Sequence, residues 1–115
     1  MKSGLFIGDK MIMPRGDSES FTVSYSDDLG AVPFVTGDKV YFSVKRDKND
    51  TTYQFQKLVT TFTAEGLALV NILPADTKTM DFGRYVYDIQ ITFADGTVKT
   101  PRRGLFILDD EVTHD

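Results

Sequence analysis

The sequence predicts an all-β sandwich or barrel, and three observations carry that reading. Over residues 81–100, Tyr85, Tyr87, Ile89, Ile91 and Phe93 take every second position, with Arg84, Val86, Asp88, Gln90 and Thr92 between them. Strand side chains point to alternate faces, so this is a strand with one buried aromatic and aliphatic face. Shorter runs of the same kind recur along the chain, punctuated by turn residues about every 8–12 positions. No run of useful length carries the helical period. Nine Phe and five Tyr, with no Trp, suit a pleated, half-buried surface.

Taken in order, Leu5-Phe6-Ile7 and Met11-Ile12-Met13 flank Gly8-Asp9-Lys10, giving either an edge hairpin or one broken first strand. Pro14 and Gly16 punctuate the chain. Phe21, Val23 and Tyr25 alternate with Thr22 and Ser24 as the next strand, and Ser26-Asp27-Asp28-Leu29-Gly30 is turn chemistry. Pro33 makes 31–35 an edge or connecting segment, because proline cannot donate to a central ladder. Val40, Phe42 and Val44 form a buried face opposite Tyr41, Ser43 and Lys45. After a polar loop at 46–51, Tyr53 and Phe55 begin a strand that runs towards Phe62. Residues 67–73 are apolar on both faces, which leaves two registers open: Ala68, Val70 and Ile72 inside, or Leu67, Leu69 and Leu73.

Residues 74–80 open on Pro74 and are long enough for one helical turn only. The 81–93 strand ends at Ala94-Asp95-Gly96-Thr97, where Asp-Gly predicts a type I′ hairpin turn and a return strand over 97–100. Pro101-Arg102-Arg103-Gly104 is expected to break that strand, leaving 105–108 as a final short one.

The 115 residues form one domain, with 1–4 and 109–115 expected as mobile ends. A net charge of −4 argues against a nonspecific grip on nucleic acid. With no cysteine, disulfides, thiolate metal sites and cysteine nucleophiles are excluded together. No apolar run approaches the roughly 20 residues of a membrane helix.

Two resemblances sharpen the reading. Asp81-x-Gly83-x-Tyr85 matches the corner before strand F of immunoglobulin-like domains, with Tyr87 where antibody domains place a cysteine. There a tyrosine buries its ring and ties its hydroxyl back to upstream backbone. The resemblance implies an Ig-like β-sandwich of about seven antiparallel strands with no disulfide. The second rests on a longer series: Arg15-Gly16-Asp17-Ser18 before a Phe-x-Val strand, then Thr36-Gly37-Asp38-Lys39-Val40-Tyr41-Phe42-Ser43-Val44-Lys45. Ile72-Leu73-Pro74-Ala75-Asp76-Thr77, Gly83-Arg84-Tyr85-Val86-Tyr87-Asp88-Ile89 and Asp95-Gly96-Thr97-Val98-Lys99-Thr100 continue it, and Gly104-x-Phe106 and Glu111-Val112-Thr113 close it. The series resembles small β-sandwich tail and baseplate proteins of phages and prophages of Gram-positive bacteria, including the N-terminal domain of baseplate upper proteins. It implies a non-enzymatic virion protein, made in the host cytoplasm, that works by contact with other tail proteins or copies of itself. The long C-terminal extension of the larger members is not present in this sequence. The alternative from another class is a carbohydrate-binding module for bacterial surface glycans.

The residues carry no assembled chemistry. Arg15-Gly16-Asp17 reads as a turn before a strand, although animal integrins recognise the same tripeptide. Asp47-Lys48-Asn49-Asp50 starts like a calcium loop, but Thr52 and Leu58 stand where glycine and a bidentate glutamate are required. Asp27-Asp28 and Asp109-Asp110-Glu111 read as surface charge. His114, the single histidine, lacks a partner to hold it as a base. No catalytic group, metal, cofactor, nucleic acid or membrane is expected. The interface candidates are Tyr41, on the face opposite Val40, Phe42 and Val44, and the basic cluster Lys99, Arg102 and Arg103. That cluster suits an acidic partner such as the 109–111 segment of another copy.

Overall fold

Which alternate residues are buried decides how the strands stack. The computed structural model describes residues 5–109. Ten strands and one helical turn follow in order: β1 (Phe6–Ile7), β2 (Lys10–Pro14), β3 (Glu19–Val23), β4 (Ser26–Asp27), β5 (Gly30–Ala31), β6 (Lys39–Lys45), β7 (Phe55–Val59), β8 (Ala68–Ile72), α1 (Pro74–Thr77), β9 (Gly83–Thr92) and β10 (Val98–Asp109). Six of them form one sheet in the order β1-β2-β10-β9-β6-β7, and β3 and β8 form the opposing layer, with β4 and β5 a small separate hairpin. The protein is an all-β, sandwich-like fold. Its strands are more numerous than the seven expected, because several are only two residues long. Nor are they all antiparallel, since β2 runs parallel to β10.

The inner face of β9 is the alternation seen in the sequence: Tyr85, Tyr87, Ile89 and Ile91 are all buried. Phe93 lies just past the strand and is half-buried against the same core. Val40, Phe42 and Val44 of β6, Phe106 and Leu108 of β10, and Met11 and Met13 of β2 extend that face across the sheet. Ala68, Val70 and Ile72 close it from β8, which settles the register left open by the sequence. Phe42 stands at the centre, fully buried, with ring centroids 5.2 Å from Phe21, 5.7 Å from Tyr87 and 5.9 Å from Phe55. Tilted and edge-on aromatic pairs of this kind add to the area each ring removes from water.

The corner before β9 forms as its motif implies. The Tyr85 hydroxyl donates to the Asp81 carbonyl at 2.8 Å, and the Arg46 guanidinium lies 4.6 Å from the Tyr85 ring centroid. The turn after β9 departs from expectation. Asp95 does not take a positive φ, which a type I′ turn requires, whereas Gly96 does, at +93°. Gly96 N–H donates to the Phe93 carbonyl and Phe93 N–H to the Thr97 carbonyl, both at 2.8 Å. This is the three-residue hairpin loop with a left-handed glycine at its end. The Asp95 carboxylate accepts the Thr97 N–H at 2.9 Å, and those bonds hold it below the usual aspartate range.

Two further expectations are corrected. Pro101 to Gly104 does not break the return strand; β10 runs on through a register shift between Lys99 and Arg102. Thr100 and Pro101 sit in the bulge, where a missing N–H costs the ladder nothing. Asp109 is the last residue of β10 and pairs with Pro14, so it is not part of a mobile tail. The other expected mobile ends, 1–4 and 110–115, lie outside the described residues, as does His114. The 74–80 segment forms its single turn, and Asp76 accepts the Leu73 N–H at 2.7 Å.

The core and the corner separate in a stability measurement. In urea unfolding, Tyr85→Phe is expected to cost about 1 kcal/mol, the net value of one hydrogen bond. Phe42→Ala is expected to cost about 3–5 kcal/mol through the cavity it leaves.

Candidate interaction surfaces

The register shift in β10 divides the predicted basic cluster between two faces. Lys99 pairs with Ile91 and Arg102 with Ile89, both on the inner side of β9, whereas Arg103 pairs with the outward Asp88. Lys99 stays exposed, Arg103 is exposed, and Arg102 is half-buried between the layers. Its guanidinium donates to the Gly8 carbonyl and lies 4.2 Å from the Phe6 ring centroid. Arg102 Nε is 3.1 Å from Asp9 Oδ1, close enough for an ion pair, although its N–H is not aimed for a hydrogen bond.

Around Arg102 the β1–β2 turn is clamped onto β10. The Tyr87 hydroxyl donates to the Asp9 carbonyl at 2.6 Å. Gly104 leaves no room for a side chain, since a Cβ there would collide with the Asp9 carbonyl oxygen. Burial pushes the Tyr87 hydroxyl above its usual range, and the Arg102 charge acts against that. Arg102 is thus committed to holding the N-terminal hairpin. Nothing in the spacing of Arg102-Arg103 distinguishes the two; the one-residue bulge does.

Tyr41 lies half-buried on the outer face of β6, with Leu58 and Gln90 as its cross-strand neighbours. On the same face, Ser43, Lys45, Lys48, Val86, Asp88, Thr100, Arg103 and Leu105 line a depression of about 460 Å³. Lys45 lies 5.4 Å from the exposed Tyr53 ring, and Ser43 accepts a hydrogen bond from Gln56 Nε2 at 2.9 Å.

A larger groove, of about 600 Å³, runs between β7 and the β3–β8 pair. It is walled by Lys57, Leu58, Val59, Leu69, Asn71 and Leu73, with Ser18 to Ser20 on the β3 side. Beyond Leu58 and Leu69 it continues past 60–63 as a second depression of about 430 Å³. Leu58, Leu69 and Leu73 are each about half exposed there. Among the described residues, β7 pairs only with β6 and β8 only with β3, so each leaves one backbone edge without a strand partner there. Lys57 is drawn aside by Asp76, at 2.8 Å. This surface was missed in the sequence. Its signal was Leu58 and Leu69 standing on the faces opposite the buried alternation.

The loops singled out for other chemistry satisfy themselves. Asp47 and Asp50 accept N–H groups of their own loop, and Arg15 donates to the Met80 carbonyl at 3.3 Å with Phe82 beneath it. The buried Asp38 accepts the N–H of Val35 and of Ala94, both at 2.9 Å, joining two turns. Among the described residues, no group of three or more His, Cys, Asp or Glu is placed to hold a metal ion. Searches of family models, curated proteins and solved structures returned no match.

Two measurements check this division of roles. Arg102→Ala is expected to lower stability by about 1–3 kcal/mol, mainly through the lost hydrogen bond and ring contact, since Asp9 is largely solvated. Arg103→Ala is expected to stay within about 0.5 kcal/mol of the parent. Tyr87 resists ionisation when folded, so its contribution is complete below the ordinary tyrosine value of 10.0 and is lost as pH rises through its raised folded value. Tyr87→Phe should therefore flatten the fall in unfolding free energy between 10.0 and that raised value; an unchanged slope there would contradict the assignment.

Proposed function

We propose that this chain is a non-enzymatic structural protein of a phage or prophage tail or baseplate, acting by assembly with other virion proteins or with copies of itself. One observation carries the reading: two strands with unpaired edges flank an open groove whose rim is aliphatic. Natural sheets usually guard such edges with charge, proline or bulges. β8, with the sequence Ala-Leu-Val-Asn-Ile, has no charged residue and no proline, and Lys57 of β7 is held by Asp76. An incoming strand would gain main-chain hydrogen bonds from the edge and a seat for alternate apolar side chains on the leucines. The resemblance of the turn-and-strand series to phage tail proteins supplies the biological setting.

A glycan-binding module is the weaker reading. Sugar rings stack on exposed aromatic faces, and the larger groove is lined by aliphatic and polar side chains without an aromatic ring.

Light scattering at high concentration, together with pull-down of the products of neighbouring tail genes, tests the proposal. The parent chain is expected to self-associate or capture one such product, and Leu58→Asp/Leu69→Asp is expected to lose that binding while melting as the parent does. A chain that stays monomeric and captures none of them overturns it.

A further inference from the structure

We infer that the depression on the outer face of the six-stranded sheet receives the acidic C-terminal segment that follows β10, residues 110–115, of a second copy of this chain. The inference deepens the assembly reading and rests on it, but it uses a different surface from the groove beside β7 and β8.

Charge distribution is the first support. Over residues 1–108, thirteen Lys and Arg balance thirteen Asp and Glu. The net charge of −4, with His114 neutral, therefore resides in the last seven residues, where Asp109, Asp110, Glu111 and Asp115 have no Lys or Arg among them. A charge block confined to one end reads as an interaction segment.

The second support is the depression itself. Lys45, Lys48 and Arg103 bring three positive charges to it against the single carboxylate of Asp88. None of these four forms an ion pair among the described residues, although Arg103 and Asp88 are cross-strand partners. Val86 and Leu105 give the floor an apolar centre suited to a side chain such as Val112. The surface thus has the sign that the rest of the molecule, taken whole, does not. Opposed charges of this kind set partner choice and encounter rate more than they set raw affinity.

Reach favours a second copy over the chain's own segment. Leu105 and Asp109 are separated by four residues of continuous strand, about 13 Å, directed away from the depression. Residues 110–115 span at most about 20 Å when extended, and a reversal at Asp109 would use much of that length. Between two copies the segment needs no reversal.

Charge exchange in the full-length chain tests it. Lys48→Glu/Arg103→Glu changes two exposed residues, and Asp110→Lys/Glu111→Lys changes the segment; thermal melting verifies that both variants fold. Each alone is expected to weaken self-association about tenfold by light scattering, with a reduced dependence on salt. An equimolar mixture of the two is expected to restore it, because each copy then offers one reversed partner. Unweakened association in either variant, or a mixture that fails to recover, overturns the inference, as does a parent chain that never self-associates. Loss of association in Leu58→Asp/Leu69→Asp but not in the charge variants would overturn this inference and leave the edge reading standing.

Discussion

Exclusion of water from one face of β9 is the constraint on which the molecule depends. Tyr85, Tyr87, Ile89 and Ile91 need cover, and the strands on either side supply it in register: Val40, Phe42 and Val44 from β6, Phe106 from β10. The two-stranded β3–β8 layer roofs the middle of that face. A layer so narrow cannot reach every margin of a six-stranded sheet. The Arg102 clamp closes one margin with a folded-over turn, and at another the groove beside β7 is left open.

This asymmetry connects stability with interaction. Where the cover is complete, polar groups are held internally: Tyr85 to Asp81, Tyr87 to Asp9, Asp38 to two turn amides. Where it is incomplete, leucines and unpaired backbone remain at the surface. Many of these hydrogen-bonding side chains fix turns and corners.

Strand identity and the inward face were legible because burial imposes a period of two, and that period needs no knowledge of the rest of the fold. The tyrosine corner was legible because its bond is local, from residue 85 to 81. The less visible features depend on distant partners. Asp-Gly in the hairpin is compatible with either turn, and the loop of three residues instead of two is set by where Phe93 and Thr97 pair. The inward turn of Arg102 follows from one extra residue at Thr100-Pro101 and from Gly8 and Asp9, more than 90 residues away. Leu69 looked as buryable as Val70, and only the position of β3 and β7 leaves it outside.

The parallel pairing of β2 with β10 joins the beginning of the described chain to its end. Met11 meets Phe106 and Met13 meets Leu108 across a sequence separation of 95 residues. Contacts of such long range bear the full entropy of loop closure before they return anything. During synthesis, therefore, the methionine face of β2 waits until residues 106–109 emerge, and the sheet is sealed late along one of its earliest strands.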